Sequence, residues 1–306
     1  MAVAFGMQLP IQSQSTMFVQ PWESAAGGPE LVQVAQACEA AGFDYVAVCD
    51  HVAIPEQHAE TMSTTWWDTI ATLSYLAAVT ERVRLLSHVY VLPYRHPLAV
   101  AKAWATLDAL SGGRAILGVG AGHVKGEFAA LDVSFADRGR LLDEAIDAVR
   151  AALAEEYPAH AGERWHFSGL GQRPRPVQAT LPIWVGGSSQ AAMRRAAERG
   201  DGWLPQGPPE GGMAAAIDFI RSHRTAIRGD DPIVLGALSG PLHVGEPMWD
   251  TPRCVRGPAD KVAGYLRTLA ELGVDQIQVG FVSRSAEELC DQIAAFAADV
   301  APLVND

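Results

Sequence analysis

FDYVAVCDH, residues 43–51, follows Gly42 and runs through β-branched and aromatic side chains into an acid and an imidazole. Apolar residues at both parities mark a strand covered on both faces, as in a parallel sheet, and not the alternation of a half-solvated one. A strand buried that deeply ends in two ionisable groups only where its end opens into a cleft. Asp50 and His51 are therefore the first candidates for chemistry. Adjacent side chains of an extended chain point to opposite faces, so the pair does not read as a dyad. An imidazole such as that of His51 is a candidate general acid or base. Asp50 is placed to organise neighbouring loops or to contact a cofactor. The alternative for His51 is an imidazole that only bonds a loop carbonyl.

Working outward, the same kind of strand recurs. Residues 2–10, 83–91, 114–122, 182–187, 202–205, 233–240 and 274–281 read as strands. Helical periodicity falls between them, at 29–42, 67–80, 96–113, 137–155, 189–200, 213–228, 258–273 and 286–300. The first helix shows the usual punctuation, with Pro29 near its start and Gly42 at its stop. Connections of a dozen or more residues between strands demand parallel pairing. Eight such units predict an α/β fold of the (β/α)8 TIM-barrel type, a single domain over residues 1–306. An Arg- and Pro-bearing insertion at 157–180 follows the fourth helix, and long loops extend the C-terminal face. In such barrels functional groups sit at the C-terminal ends of strands. The second strand ends in Asp50 and His51, the third in Ser87, His88 and Tyr90, the fourth in glycines and His123, and the fifth in Gly186, Gly187 and Ser188.

Composition narrows the function. The chain has 306 residues, 49% apolar, with mean hydropathy +0.07 and formal charge −12. The charge argues against nucleic acid and anionic membranes as general partners. No apolar run approaches the roughly 20 residues of a membrane span, and Met1 leads into a strand without a basic flank, so no secretory leader is expected. Cys38, Cys49, Cys254 and Cys290 are scattered, which predicts reduced thiols and a cytoplasmic protein. Lys102, Lys125 and Lys261 are the only lysines.

The glycine-rich run GVGAG, residues 118–122, is not a dinucleotide fingerprint. That motif requires glycine where His123 stands, and belongs in the first β-α unit. Lys125 lacks the context of a phosphate-binding P-loop. What the run does imply is a place where side chains are removed because a flat ring or a backbone comes close, or because the barrel turns a tight corner. GGSS, residues 186–189, opens a helix, and free amides there form either an anion site or an ordinary serine cap. No metal is expected: the histidines lack the His-x-His of metal-dependent barrels on the first strand.

Four blocks together resemble the bacterial luciferase-like superfamily, in particular its branch dependent on the deazaflavin coenzyme F420. They are AGFDYVAVCDH, ERVRLLSHVYVLPYRHPLAVAKAWATLDALSGGRAILGVGAG, LPIWVGGSSQAAMRRAAERGDGW and GPADKVAGYLRTLAELGVDQIQVGF. The resemblance implies a flavin-like ring at the C-terminal mouth. His51 would move a proton near the redox carbon, beside Asp50. Ser87, His88 and Val89 would form a third-strand bulge with a non-proline cis peptide against the ring. Gly118, Gly120 and Gly122 would line that ring, and Val185, Gly186, Gly187 and Ser188 would bind the tail phosphate. The chain departs from the pattern at His88, where a small residue is common, and at His123, where relatives carry Trp or Glu. A glutamate acid proposed in some F420 enzymes is therefore not carried over, and His123 becomes the candidate second proton-transfer group.

The resulting expectation is a hydride-transferring F420 oxidoreductase acting on a small organic substrate. The alternatives are an FMN-dependent monooxygenase fed by a partner reductase, and a flavin- or F420-binding protein without turnover. Relatives often pair as homodimers. The polyanionic tail of F420 calls for local positive charge, with Arg95, Lys125, Arg173, Arg175, Arg194 and Arg195 as candidates. Trp66, Trp67, Tyr90, Trp165 and Trp249 are candidate walls for an apolar substrate.

Overall fold

A computed structural model describes residues 2–16 and 18–305. The strands β1 (Ala4–Gln8), β2 (Tyr45–Val48), β3 (Arg84–Ser87), β4 (Ala115–Gly120), β5 (Ile183–Gly186), β6 (Gly202–Leu204), β7 (Val234–Val244) and β8 (Gln276–Phe281) pair in sequence order, every pair parallel. β8 returns to β1, so the sheet closes. A main helix follows each strand: α1 (Gly28–Ala40), α2 (Thr69–Ala77), α3 (Pro97–Ser111), α4 (Arg138–Ala154), α5 (Gln190–Arg199), α6 (Met213–Arg228), α7 (Ala259–Ala270) and α8 (Ala286–Ala295). This is the expected (β/α)8 barrel. No helix among the described residues is long and apolar enough to cross a membrane.

The apolar run at residues 43–48 is explained by two cores. Val46 and Val48 of β2 join the layer between barrel and helices, with Leu31, Val34 and Leu73. Tyr45 and Ala47 point the other way, into the barrel, against Leu86, Ile116, Trp184 and Leu204. Both parities are buried, so both must be apolar.

Three departures from the expected elements matter for the site. β2 stops at Val48, which leaves Asp50 and His51 on the emerging loop. The third strand is not continuous. Leu86 pairs with Ile116, but the next pairs are Tyr90 with Val119 and Val91 with Gly120. One extra residue is thus accommodated on the third strand, which is a bulge, and the His88–Val89 peptide within it is cis. Finally, β7 continues to Val244, past the expected end, and Val255–Gly257 of the following loop pair beside it. The insertion holds a small hairpin, His160–Ala161 against His166–Phe167. Its return is tied down by Asp108 of α3, which accepts from the amides of Val177 (2.7 Å) and Gln178 (3.1 Å).

Candidate active site

His51 leaves β2 at the C-terminal mouth and meets a residue that sequence reasoning passed over. Its Nδ1 lies 2.9 Å from Oε2 of Glu127, on the short helix Lys125–Ala130 after β4. Glu127 is 1% exposed. It also accepts from the amides of Val52 and Ala53 (3.1 Å to the latter) and from the Tyr94 hydroxyl at 2.9 Å. Burial alone would favour the protonated acid. The donation from His51, then those from Val52 and Ala53, outweigh it and hold the Glu127 pKa below the ordinary glutamate value. An ionised Glu127 requires a proton on Nδ1 of His51 and leaves Nε2 as the unprotonated nitrogen of the neutral ring. Nothing among the described residues hydrogen-bonds Nε2. Loop 52–55 can come this close because Gly126 has no side chain: a Cβ there would stand 2.6 Å from Pro55. The only hint in the sequence was the four-residue spacing of His123 and Glu127.

The His51 ring is enclosed edge-on by Trp66, with centroids 4.3 Å apart, and by His123 at 5.5 Å. The Trp66 indole is itself held by Met62 and Ser63 carbonyls at 3.1 and 3.2 Å. His123 sits on the rim and reaches solvent. Desolvation of its inner edge, then the neighbouring His51, keep its pKa below the usual imidazole value. Of the other candidate walls, Tyr90 lies beneath Arg95, Trp165 is buried in the insertion and Trp249 lies beneath Arg284.

Asp50 faces away from His51, as the extended geometry requires. Arg95 grips it twice, Nη1 to Oδ2 at 2.7 Å and Nη2 to Oδ1 at 2.8 Å. Oδ2 also accepts from the Val91 amide (2.8 Å), and Oδ1 from Thr69 Oγ1 (3.2 Å). With both oxygens committed and 4% exposure, Asp50 has no lone pair directed at a reacting atom. It is a positioning residue that ties the end of β2 to the chain leaving the bulge.

The bulge explains the glycines. Ser87 Oγ donates to Gly118 O (2.7 Å) and accepts from Gly118 N (3.0 Å), filling the gap in the ladder. A Cβ on Gly118 would stand 1.8 Å from Ser87 O, and one on Gly120 or Gly186 would stand 2.3 or 2.1 Å from a Val89 methyl. These three glycines therefore admit the bulge, and it is Val89 that covers them. Gly122, at φ +76°, turns the chain against Val91 and Phe128. His88 points into the barrel. Its Nε2 donates to Leu204 O and its Nδ1 accepts from Gln278 Nε2, each at 3.3 Å. Burial pushes its pKa down to about 4. It is a neutral strut, with no nitrogen free for a ligand.

At the fifth strand, Val185 packs outward into the helix layer, which corrects its side chain as a tail contact. Gly187 (φ +104°) leads into α5, whose cap is Ser189. Ser188 Oγ donates to Gly207 O at 2.6 Å. The amides of this turn remain available, as at any helix start. Most of the expected positive charge is spent. Arg95 serves Asp50, Arg173 serves Glu156, Arg194 serves Glu198 and buried Arg195 serves Asp143. Arg175 caps carbonyls at the end of α4. Among the described residues no group of three His, Cys, Asp or Glu is placed to hold a metal ion.

The sequence profile of the luciferase-like monooxygenases matches residues 5–253. The chain belongs to that family. An uncharacterised Mycobacterium tuberculosis protein is 35% identical to this luciferase-like chain over 220 residues, 68% of this chain and 76% of the relative. The FMNH2-dependent dimethylsulfone monooxygenase of Pseudomonas putida is 29% identical over 203 residues, 63% of this chain and 53% of that enzyme. Among solved structures, a monooxygenase of Streptomyces bottropensis matches with TM-score 0.80 and 21% identity, covering 98% of this chain and 99% of that one. The coenzyme F420 dependent tetrahydromethanopterin reductase of Methanopyrus kandleri matches with TM-score 0.75 and 18% identity, covering 99% of each. At those identities the two structures share the fold. Membership places the chain among luciferase-like oxidoreductases; the Pseudomonas putida relative is FMNH2-dependent, and the Methanopyrus kandleri enzyme that shares the fold is F420-dependent.

Proposed function

We propose that this luciferase-like protein is an F420-dependent oxidoreductase in which His51 carries the substrate proton. The observation behind the choice is the His51–Glu127 pair at the barrel mouth. Hydride exchange between a deazaflavin and an alcohol or carbonyl needs one proton moved per turnover, and an imidazole with a fixed tautomer is built for that. Two features support a flat redox ring at the mouth. Val89 forms a wall over Gly120 and Gly186, and Oε1 of Gln278, beside His88, is a buried acceptor with no partner among the described residues. Amides of the turn at Gly187 and Ser188 suit the tail phosphate.

When bound, the deazaflavin supplies or accepts the hydride. The remaining work falls to the chain. Glu127 holds Nδ1–H, so Nε2 is bare in the neutral ring and takes a proton from an alcohol. In the imidazolium form the same nitrogen delivers a proton to a carbonyl oxygen. Trp66 packs edge-on against that ring, and Asp50 with Arg95 ties the end of β2 to the chain leaving the bulge. Side-by-side titration with F420 and FMN tests the reading: saturable F420 binding is expected, and binding of FMN alone would sink it.

The second reading, an FMN-dependent monooxygenase, rests on the Pseudomonas putida relative. It predicts oxygen consumption with reduced FMN supplied by a reductase. A binding protein without turnover would show an intact chromophore site and no effect of His51→Ala in any redox assay.

A further inference from the structure

The loop after β7 and the first turn of α7 line an open surface cavity of about 470 Å³, apart from the residues of the candidate active site, with Arg253 and Lys261 exposed on its wall. Arg253, Arg256 and Lys261 line it, with Thr251, Cys254 and, exposed at the rim, Asp250. The loop is pinned at its neck. Gly245 and Gly257 exchange backbone hydrogen bonds of 2.7 and 3.1 Å, and Val255–Gly257 extend the barrel sheet beside β7. Buried Thr251 accepts from Arg256 at 2.7 Å, which fixes one cation in the wall.

These cations are poorly neutralised. Among the described residues Arg253 and Lys261 make no ion pair, and Arg256 reaches only Glu246, at 3.8 Å and with a 70% exposed side chain. Such a contact contributes little. In a chain of net charge −12, a cavity lined by three cations and one rim acid reverses the local sign. Like charges around one cavity repel until an anion enters. The place is also apt, because barrels often hold phosphate on loops after the seventh and eighth strands.

We propose that this cavity is an oxyanion subsite for a group bearing clustered carboxylates or phosphate. Resting on the F420 reading, the carboxylates are those of the glutamyl tail; otherwise they belong to an anionic substrate. Cys254 lines the cavity and reports its occupancy. In the full chain, tricarballylate or inorganic phosphate at constant ionic strength should slow alkylation of Cys254 saturably, by about threefold or more, with Cys290 on α8 as the unaffected control. The double variant Arg253→Gln, Lys261→Gln should lose that protection. The subsite is overturned if protection is absent, is matched by chloride, or survives in the double variant.

A second arm identifies the source. If the variant weakens F420 binding about tenfold and leaves the tail-free deazaflavin riboside unchanged, the anion is the cofactor's. If neither changes while tricarballylate protection is lost, the anion belongs to the substrate. An equal loss for the tail-free form overturns the anion assignment. Failure of either deazaflavin to bind the wild type would remove the F420 reading, and the cysteine arm would then decide the subsite alone.

Discussion

Val89 by itself requires glycine at 186, and this can be tested without any cofactor. An alanine at 186 would put its Cβ 2.1 Å from Val89 Cγ1, 3.5 Å from Val119 O and 3.6 Å from Val89 Cβ. Carbon atoms in contact sit about 3.5–4.0 Å apart, so an overlap of about 1.5 Å must be absorbed. Relief would require Val89, a buried residue whose other methyl packs over Gly120, to shift from its place in the bulge. The cost should fall at the upper end of overpacking, about 3 kcal/mol. Val89→Ala alone removes two methyl groups from a buried site and should cost about 2 kcal/mol. In the double variant the first clash is gone and 3.6 Å is an ordinary contact. The pair should then cost about 2 kcal/mol in place of the 5 or so that additivity predicts, a coupling of about 3 kcal/mol. Urea denaturation of the four proteins measures this. Additivity within about 0.5 kcal/mol would refute the argument. A loss of ligand affinity in Gly186→Ala that persists when Val89 is also alanine would return the glycine to the cofactor.

Glu127→Gln keeps acceptors for Val52 and Ala53 but lets His51 adopt the wrong tautomer; turnover should fall about 10²–10³-fold with little change in cofactor affinity, and an equal loss of affinity would make Glu127 a binding group. The folded pKa of Glu127 is depressed, so its stabilisation is present above the unfolded value and lost as pH falls through the folded one. The acid limb of a stability–pH curve should accordingly flatten in Glu127→Gln. Asp50→Asn strands the Arg95 guanidinium, whose side chain is 19% exposed, and should cost about 3 kcal/mol in denaturant; a cost under about 0.5 kcal/mol would show that the pair is idle. His88 is neutral in the fold, with a pKa pushed down to about 4, so the unfolded chain takes up the proton first. Stability should drop as pH falls below about 6.5 and level off below 4, by an order of 3 kcal/mol; His88→Gln should remove that slope, and an unchanged slope would place its origin elsewhere.

Much of this was legible in residue order. Buried strands with apolar residues at both parities, alternating with amphipathic helices, admit few arrangements, because every strand must be covered on both faces. Asp50 and His51 were visible for a related reason: ionisable groups at the end of a buried strand need an opening. Their separate partners were foreshadowed too, since adjacent residues in extended chain face opposite ways. The bulge at Ser87–Val89 followed from resemblance and not from pattern, because residues 83–91 read as one continuous strand.

By itself the sequence determined the closed barrel and the strand end at which Asp50 and His51 emerge. These depend on the local periodicity of burial, which a linear chain records. Only tertiary structure decided the partner of His51. Glu127 lies 76 positions away on a short helix without a pattern of its own, and it is brought in by a loop that Gly126 allows to approach. The same holds for the cations. Arginines read alike in a string of letters, and only the fold shows that those of α5 are spent on carboxylates while Arg253 and Lys261 are left facing a cavity. Charge neutralisation is a property of pairs in space, and the sequence lists its members one at a time.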